Sequence, residues 1–126
     1  MKQIINTKKA PAPIGPYNQA VKTGNMLYTS GQIAINPETN ELVLDSIKEE
    51  TKQVMLNLKA VLAENDMTFE NVIKTTIFLS DMHNFTEVNE VYGSYFKEDT
   101  APARETVAVA ALPKFVNVEI SVIAVA

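Results

Sequence analysis

The chain reads as one α+β domain in which two helices lie on one face of a β-sheet. Three observations predict this. Strand-like apolar runs are interrupted by two segments of helical period, in the order ββ(β)–α–β–α–ββ. Proline- and glycine-marked turns separate the short strands near the start. The last strand-like run is apolar on both sides, although only two helices of moderate length are present to cover a sheet.

Each element has its own warrant. Residues 1–24 predict short strands around a turn, because Pro11, Pro13 and Pro16 remove backbone donors and fix φ. Gly24-Asn25 predicts a hairpin-type turn into Met26–Ser30. Residues 31–44 predict a loop, marked by Asn36-Pro37 and Thr39-Asn40. The clearest helix is expected from about Ile47 to Glu64. Asp45 or Ser46 caps it, and Glu49 and Glu50 suit its positive first turn. Ile47, Thr51, Val54, Met55, Leu58, Val61 and Leu62 fall on one face. Val72–Leu79 predicts a strand. A second helix is expected over about Phe85–Phe96, with Asn84 as its cap, and strands near 106–111 and 117–125 close the chain. In the last of these, Val118, Ile120, Val122 and Ala124 point one way, and Glu119, Ser121, Ile123 and Val125 the other. A second subunit is the simplest cover for the remaining sheet face.

The bulk numbers bound the function. The 126 residues fit a single domain over 1–126, 46% hydrophobic and 21% charged. A net charge of -4 disfavours extended phosphate binding, so no nucleic-acid partner is expected. With no cysteine, disulfides, thiolate metal sites and a cysteine nucleophile are excluded. His83 is the sole histidine, so no zinc or iron site and no Ser–His–acid triad is expected. The four glycines match neither dinucleotide nor P-loop spacing. No apolar h-region or membrane-length run is visible, so the expectation is a soluble cytoplasmic protein with no membrane partner.

Arg104 and Glu119 carry the chemical signal. Glu119 is a carboxylate inside an apolar strand, which is costly to bury without a partner. Arg104, at a strand mouth, presents a planar fork suited to a carboxylate ligand. Together they predict a small pocket for an anionic substrate with an acid/base group. On residue chemistry alone two readings stay open for each: a surface ion pair with Glu105 or a ligand clamp for Arg104, and an edge contact or a perturbed acid for Glu119. Tyr17 follows the proline-rich turn, where its phenol leans over a pocket or packs with its hydroxyl on backbone. Ser30 offers a small hydroxyl, and Gly31 allows close backbone approach. Asn89 lies in mid-helix, facing solvent or bonded to a loop.

Several motifs in order resemble one family over essentially the whole chain. They are Ala12-Pro13-Ile14-Gly15-Pro16-Tyr17-Asn18-Gln19, Thr29-Ser30-Gly31-Gln32-Ile33, Pro102-Ala103-Arg104-x-x-Val107, Leu112-Pro113-Lys114 and Val118-Glu119-Ile120. The family is that of reactive intermediate deaminase A (RidA, also written YjgF). The resemblance implies a chorismate-mutase-like α+β fold, a mixed sheet with two helices on one face, and a homotrimer built on the other, with sites at subunit clefts. It implies metabolite damage control by hydrolysis of 2-iminobutanoate or 2-iminopropanoate to 2-keto acids and ammonia, without cofactor. Carried over by position, Arg104 clamps the carboxylate and Glu119 positions the attacking water. Tyr17, Ser30 and Gly31 line the pocket, Asn89 completes it, and Thr106 serves through its backbone N–H. Two departures stand out. Glu105-Thr106 replaces the family's frequent Ser-Cys, and Ala111 replaces a frequent arginine. Glu105 adds negative charge beside the anion site if it points inward. The rival reading is a non-catalytic binder or sensor of 2-keto acids, since a clamp holds product as well as substrate.

Overall fold

The computed structural model describes residues 1–126 throughout. Six strands form one sheet: β1 (Gln3–Ile5), β2 (Ala20–Thr23), β3 (Met26–Thr29), β4 (Val72–Leu79), β5 (Ala103–Ala108) and β6 (Val118–Val125). Their spatial order is β1-β2-β3-β6-β4-β5. Only β4 and β5 run parallel; every other pair is antiparallel, so the sheet is mixed. Helices α1 (Ile47–Ala63) and α2 (Phe85–Gly93) pack on one face, as the fold class expected from the sequence requires.

Local chemistry accounts for most boundaries. Gly24 takes a φ of 57°, which suits the two-residue hairpin between Thr23 and Met26. Ser46 caps α1 by accepting from the Glu49 N–H. Asn84 does not cap α2 with its side chain. A short 3-10 turn at Met82–Asn84 precedes that helix, and Asp81 caps the turn instead. The helix also ends at Gly93, earlier than its periodicity predicts.

The fifth strand differs most from expectation. It begins at Ala103, three residues before the apolar run, because pairing with Lys74–Leu79 of β4 extends it through Arg104 and Glu105. Propensity loses here to a partner strand already in place. Arg104, expected at the strand mouth, is therefore a strand residue with a fixed facing.

The core lies between the helices and the even-numbered side of β6. Val54, Met55, Leu58, Val61 and Leu62 of α1 meet Val118, Ile120, Val122 and Ala124, all essentially inaccessible to solvent. The odd-numbered side of β6 is only half-buried. There Ile123 pairs with Tyr28, and Glu119 with Phe78, which pairs in turn with Val107. Tyr28 and Val107 are both more than 40% exposed, so this open sheet face carries apolar surface.

Glu50, expected only to decorate the first turn of α1, is instead fully buried. Its carboxylate accepts from the Asn117 N–H (2.8 Å), the Asn117 side-chain amide (2.8 Å) and the Val118 N–H (3.0 Å). Three donors satisfy one buried anion and tie α1 to the first residue of β6. Glu50→Ala leaves those donors buried without an acceptor. It is expected to cost about 3 kcal/mol or more, measured by urea unfolding, with Glu50→Gln intermediate.

Candidate active site

The structure divides six of the seven sequence-predicted site residues between two cavities, and Thr106 lines neither. The first, about 560 Å³, opens beside the odd-numbered side of β6. Tyr17, Ser30, Gly31 and Glu119 line it, together with Ile14, Ile33 and Lys114. The second, about 600 Å³, lies between α2 and β5. Arg104 and Asn89 line it, with Tyr92 and Phe96.

Buried amides hold the walls of the first cavity. Gln19 is 1% exposed. Its side chain accepts from the Thr7 N–H and donates to the carbonyls of Thr7, Ala10 and Pro11, which fastens the proline-rich segment. Asn57 of α1 donates to the carbonyls of Ile33 and Ile35 at 3.0 Å each, which fastens the opposite wall. The Ser30 hydroxyl donates to the Asn18 carbonyl at 2.6 Å, so it faces a ligand only as an acceptor. Tyr17 is half exposed, and its hydroxyl accepts a long 3.4 Å contact from the Ile14 N–H.

Glu119 is the acid of this cavity. No donor in the chain bonds its carboxylate, and burial pushes its pKa above the ordinary value. Gly31 makes room for it: a Cβ at that position would stand 2.5 Å from Glu119 Oε2. Lys114 is the only cation in the cavity lining, yet it has no carboxylate within ion-pair distance. Lys114 and Phe115 both take a φ of 55°, a left-handed conformation that costs a non-glycine residue roughly 1–2 kcal/mol. Phe115 is 85% exposed beyond this turn.

The second cavity is built around Arg104, with Glu98 also in its lining. Arg104 pairs with Thr75 of β4, a core residue, so its side chain turns to the helix face. There its Nη1 donates to Asn89 Oδ1 at 2.5 Å. Asn89, partly exposed, thus bonds the arginine and not a loop. The guanidinium carbon stands 5.1 Å from the Tyr92 ring centroid and 5.6 Å from that of Phe85. Composition and motifs do not single out Phe85, Asn89 and Tyr92 as a group. Their i, i+4, i+7 spacing on α2 was the available signal.

The backbone of β5 also has a defined facing. The Val109 N–H donates to the Leu79 carbonyl across the parallel ladder. Odd residues of β5 therefore turn their amides to β4, and the N–H groups of Arg104 and Thr106 face the free edge. Thr106 also holds the one buried side-chain polar atom without a hydrogen-bond partner, its Oγ1. Glu105 points to the open face, where it pairs with Lys74 at 3.3 Å. It does not add charge beside Arg104.

Arg104 and Glu119 do not share a cavity within one chain. Glu119 stands level with Val107, two strands away, and Arg104 lies three residues further along β5 on the opposite face. The separation is roughly 10 Å along the strand and roughly 10 Å across it. His83 is exposed and paired only with Asp81, at 2.8 Å. No group of three or more metal-ligating side chains occurs, and no helix is long and apolar enough to cross a membrane.

The fold is an α+β domain with two helices on one sheet face, and its two cavities hold an unpaired, half-buried acid and a separate arginine. Comparison with known proteins narrows this. The family model described as endoribonuclease L-PSP matches residues 7–126. A RutC family protein of Synechocystis is 52% identical over 124 residues, covering 98% of this chain and 95% of that protein. The 2-iminobutanoate/2-iminopropanoate deaminase of mouse is 46% identical over 125 residues, covering 99% and 92%. The crystal structure of a Yersinia pestis protein of the Rid family superposes with a TM-score of 0.96, at 48% identity, with full coverage of both chains. The chain belongs to this Rid family, also called RidA/YjgF or endoribonuclease L-PSP.

The raised pKa of Glu119 has a stability consequence of definite sign. Folding penalises its ionised form, so the associated stability is present below the unfolded carboxylate pKa and lost as pH rises through the higher folded value. Glu119→Gln is therefore expected to melt above the wild type at pH 7. The difference should shrink toward zero below the carboxylate range, as calorimetry across pH would show.

Proposed function

We propose that this protein hydrolyses 2-imino acids, such as 2-iminobutanoate and 2-iminopropanoate, to 2-keto acids and ammonia. The reading places Arg104 of one protomer and Glu119 of its neighbour around one substrate. The observation that carries it is the pairing of an unpartnered, partly desolvated carboxylate with a guanidinium seat in the same chain but out of mutual reach. The carboxylate and imine carbon of a 2-imino acid are bonded neighbours. Arg104 and Glu119 can therefore act on one such molecule only across an interface. The apolar open sheet face, with Tyr28 and Val107, offers a surface for a homotrimer. The name of the mouse relative supports the substrate class.

The chemistry needs orientation and proton transfer. Arg104 holds the carboxylate and so fixes the imine carbon. Water adds to that carbon while Glu119 takes its proton, and the C=N electron pair moves to nitrogen. Glu119 returns the proton to nitrogen of the carbinolamine. Glu119 then relays the remaining hydroxyl proton to the same nitrogen, the C–N bond breaks with its electron pair leaving on ammonia, and the 2-keto acid is released. A raised pKa suits a group that both accepts and donates. The net charge of -4 and the lack of a basic groove weigh against a ribonuclease, despite the family's name.

Arg104→Ala is expected to abolish imine turnover with little change in melting temperature, measured with imine generated in situ by an amino-acid oxidase. Glu119→Gln should slow turnover while retaining 2-oxobutanoate binding. Co-refolding the two variants tests the shared site. Random mixed trimers should recover roughly a quarter of wild-type activity, because one cleft in three of each mixed trimer regains both groups. No recovery, with trimers present by light scattering, would place both residues' roles within one chain.

A further inference from the structure

The geometry points to Tyr92 as a positioning residue of the carboxylate clamp, acting through the face of its ring with Phe85 as its companion. This rests on the reading of Arg104 as the clamp.

Arg104 lies on an edge strand and is exposed. A free arginine there would sample many rotamers, and ordering it on binding would weaken the ligand. Three groups of α2 restrain it. The Tyr92 ring centroid lies 5.1 Å from its guanidinium carbon, within the range of a cation–π contact. The Phe85 ring centroid is at 5.6 Å. Asn89 accepts from Nη1, which fixes the rotation that ring stacking leaves free. The other guanidinium N–H groups remain for an incoming carboxylate.

Tyr92 is itself immobile. It is 5% exposed, and its hydroxyl donates to Thr75 Oγ1 at 2.9 Å inside the core. Thr75 pairs with Arg104 across the β4–β5 ladder. One aromatic side chain thus links the core of β4 to the guanidinium on β5. The ring also lies 4.8 Å from that of Phe96. Its hydroxyl serves the fold and its face serves Arg104, and substitution can separate these two contacts.

The test compares Tyr92→Phe, Tyr92→Met, Phe85→Leu and Arg104→Ala. It uses 2-oxobutanoate calorimetry, imine turnover, thermal melting and the NMR resonance of the Arg104 side-chain N–H. Tyr92→Phe keeps the ring and loses the Thr75 bond. It should lower the melting temperature while leaving affinity and the upfield ring-current shift of Arg104 within about twofold of wild type. Tyr92→Met keeps bulk and loses the π face. It should weaken binding and raise KM about tenfold, with kcat nearly unchanged and the ring-current shift gone. Phe85→Leu, which does not disturb the Thr75 bond, should weaken binding by a smaller factor in the same direction. Equal losses of affinity in the Phe and Met variants, or wild-type affinity in both Tyr92→Met and Phe85→Leu, would overturn the inference while Arg104→Ala still abolished binding. Undiminished binding in Arg104→Ala would instead remove the clamp itself, and this inference with it.

Discussion

The grip of Glu50 on the start of β6 is the constraint on which the rest of the structure depends. β6 lies between β3 and β4, and its residues supply both the core face and the acid of the first cavity. A slip of one residue would turn Glu119 into the packed helix face and Ile120 out of it. Hydrophobic alternation opposes that slip, and three hydrogen bonds from Asn117 and Val118 to one buried carboxylate oppose it from the strand's beginning. The register in turn sets Glu119 against Gly31, where the missing Cβ leaves room for its carboxylate. A buried anion that stabilises the fold thereby places a second, uncompensated anion whose burial costs stability.

The two acids illustrate how environment divides roles between identical functional groups. Glu50 is deeper, yet every oxygen has a donor, so it stays a structural anchor. Glu119 is only half-buried but has no donor, so desolvation acts on it unopposed. Satisfaction by hydrogen bonds, more than depth, separates the two. The arginine follows the same logic with opposite sign. Arg104 is restrained by a π face and one amide oxygen, neither of which cancels its charge. Each half of the candidate site is held in place by contacts that leave its charge available.

The architecture also accounts for the two halves lying apart. In a single-layered sheet with helices on one side, residues alternate between a packed face and an open one. Arg104 is even-numbered on β5 and turns toward α2, while Glu119 is odd-numbered on β6 and turns to the open face. The same parity sends Glu105 to Lys74 and away from Arg104. The replacement of a family serine by glutamate is thus absorbed on the open face.

Much of this was legible in the chain itself. The helix over residues 47–64 was readable because its apolar period and its Ser46 cap are local signals. The alternation of β6 was readable for the same reason, whereas the single pocket expected around Arg104 and Glu119 is split within one chain, with Tyr17, Ser30, Gly31 and Glu119 in one cavity and Arg104 and Asn89 in the other. What the sequence could not show is whatever depends on a partner distant along the chain. The early start of β5 comes from its ladder with β4. The burial of Glu50 comes from donors 67 residues away. The seat of Arg104 comes from a helix that reaches it only when α2 packs beside the β4–β5 edge. Periodicity and capping are encoded within a turn or two of backbone. Facing, burial and hydrogen-bond satisfaction are properties of pairs, and tertiary packing alone decides which pairs meet.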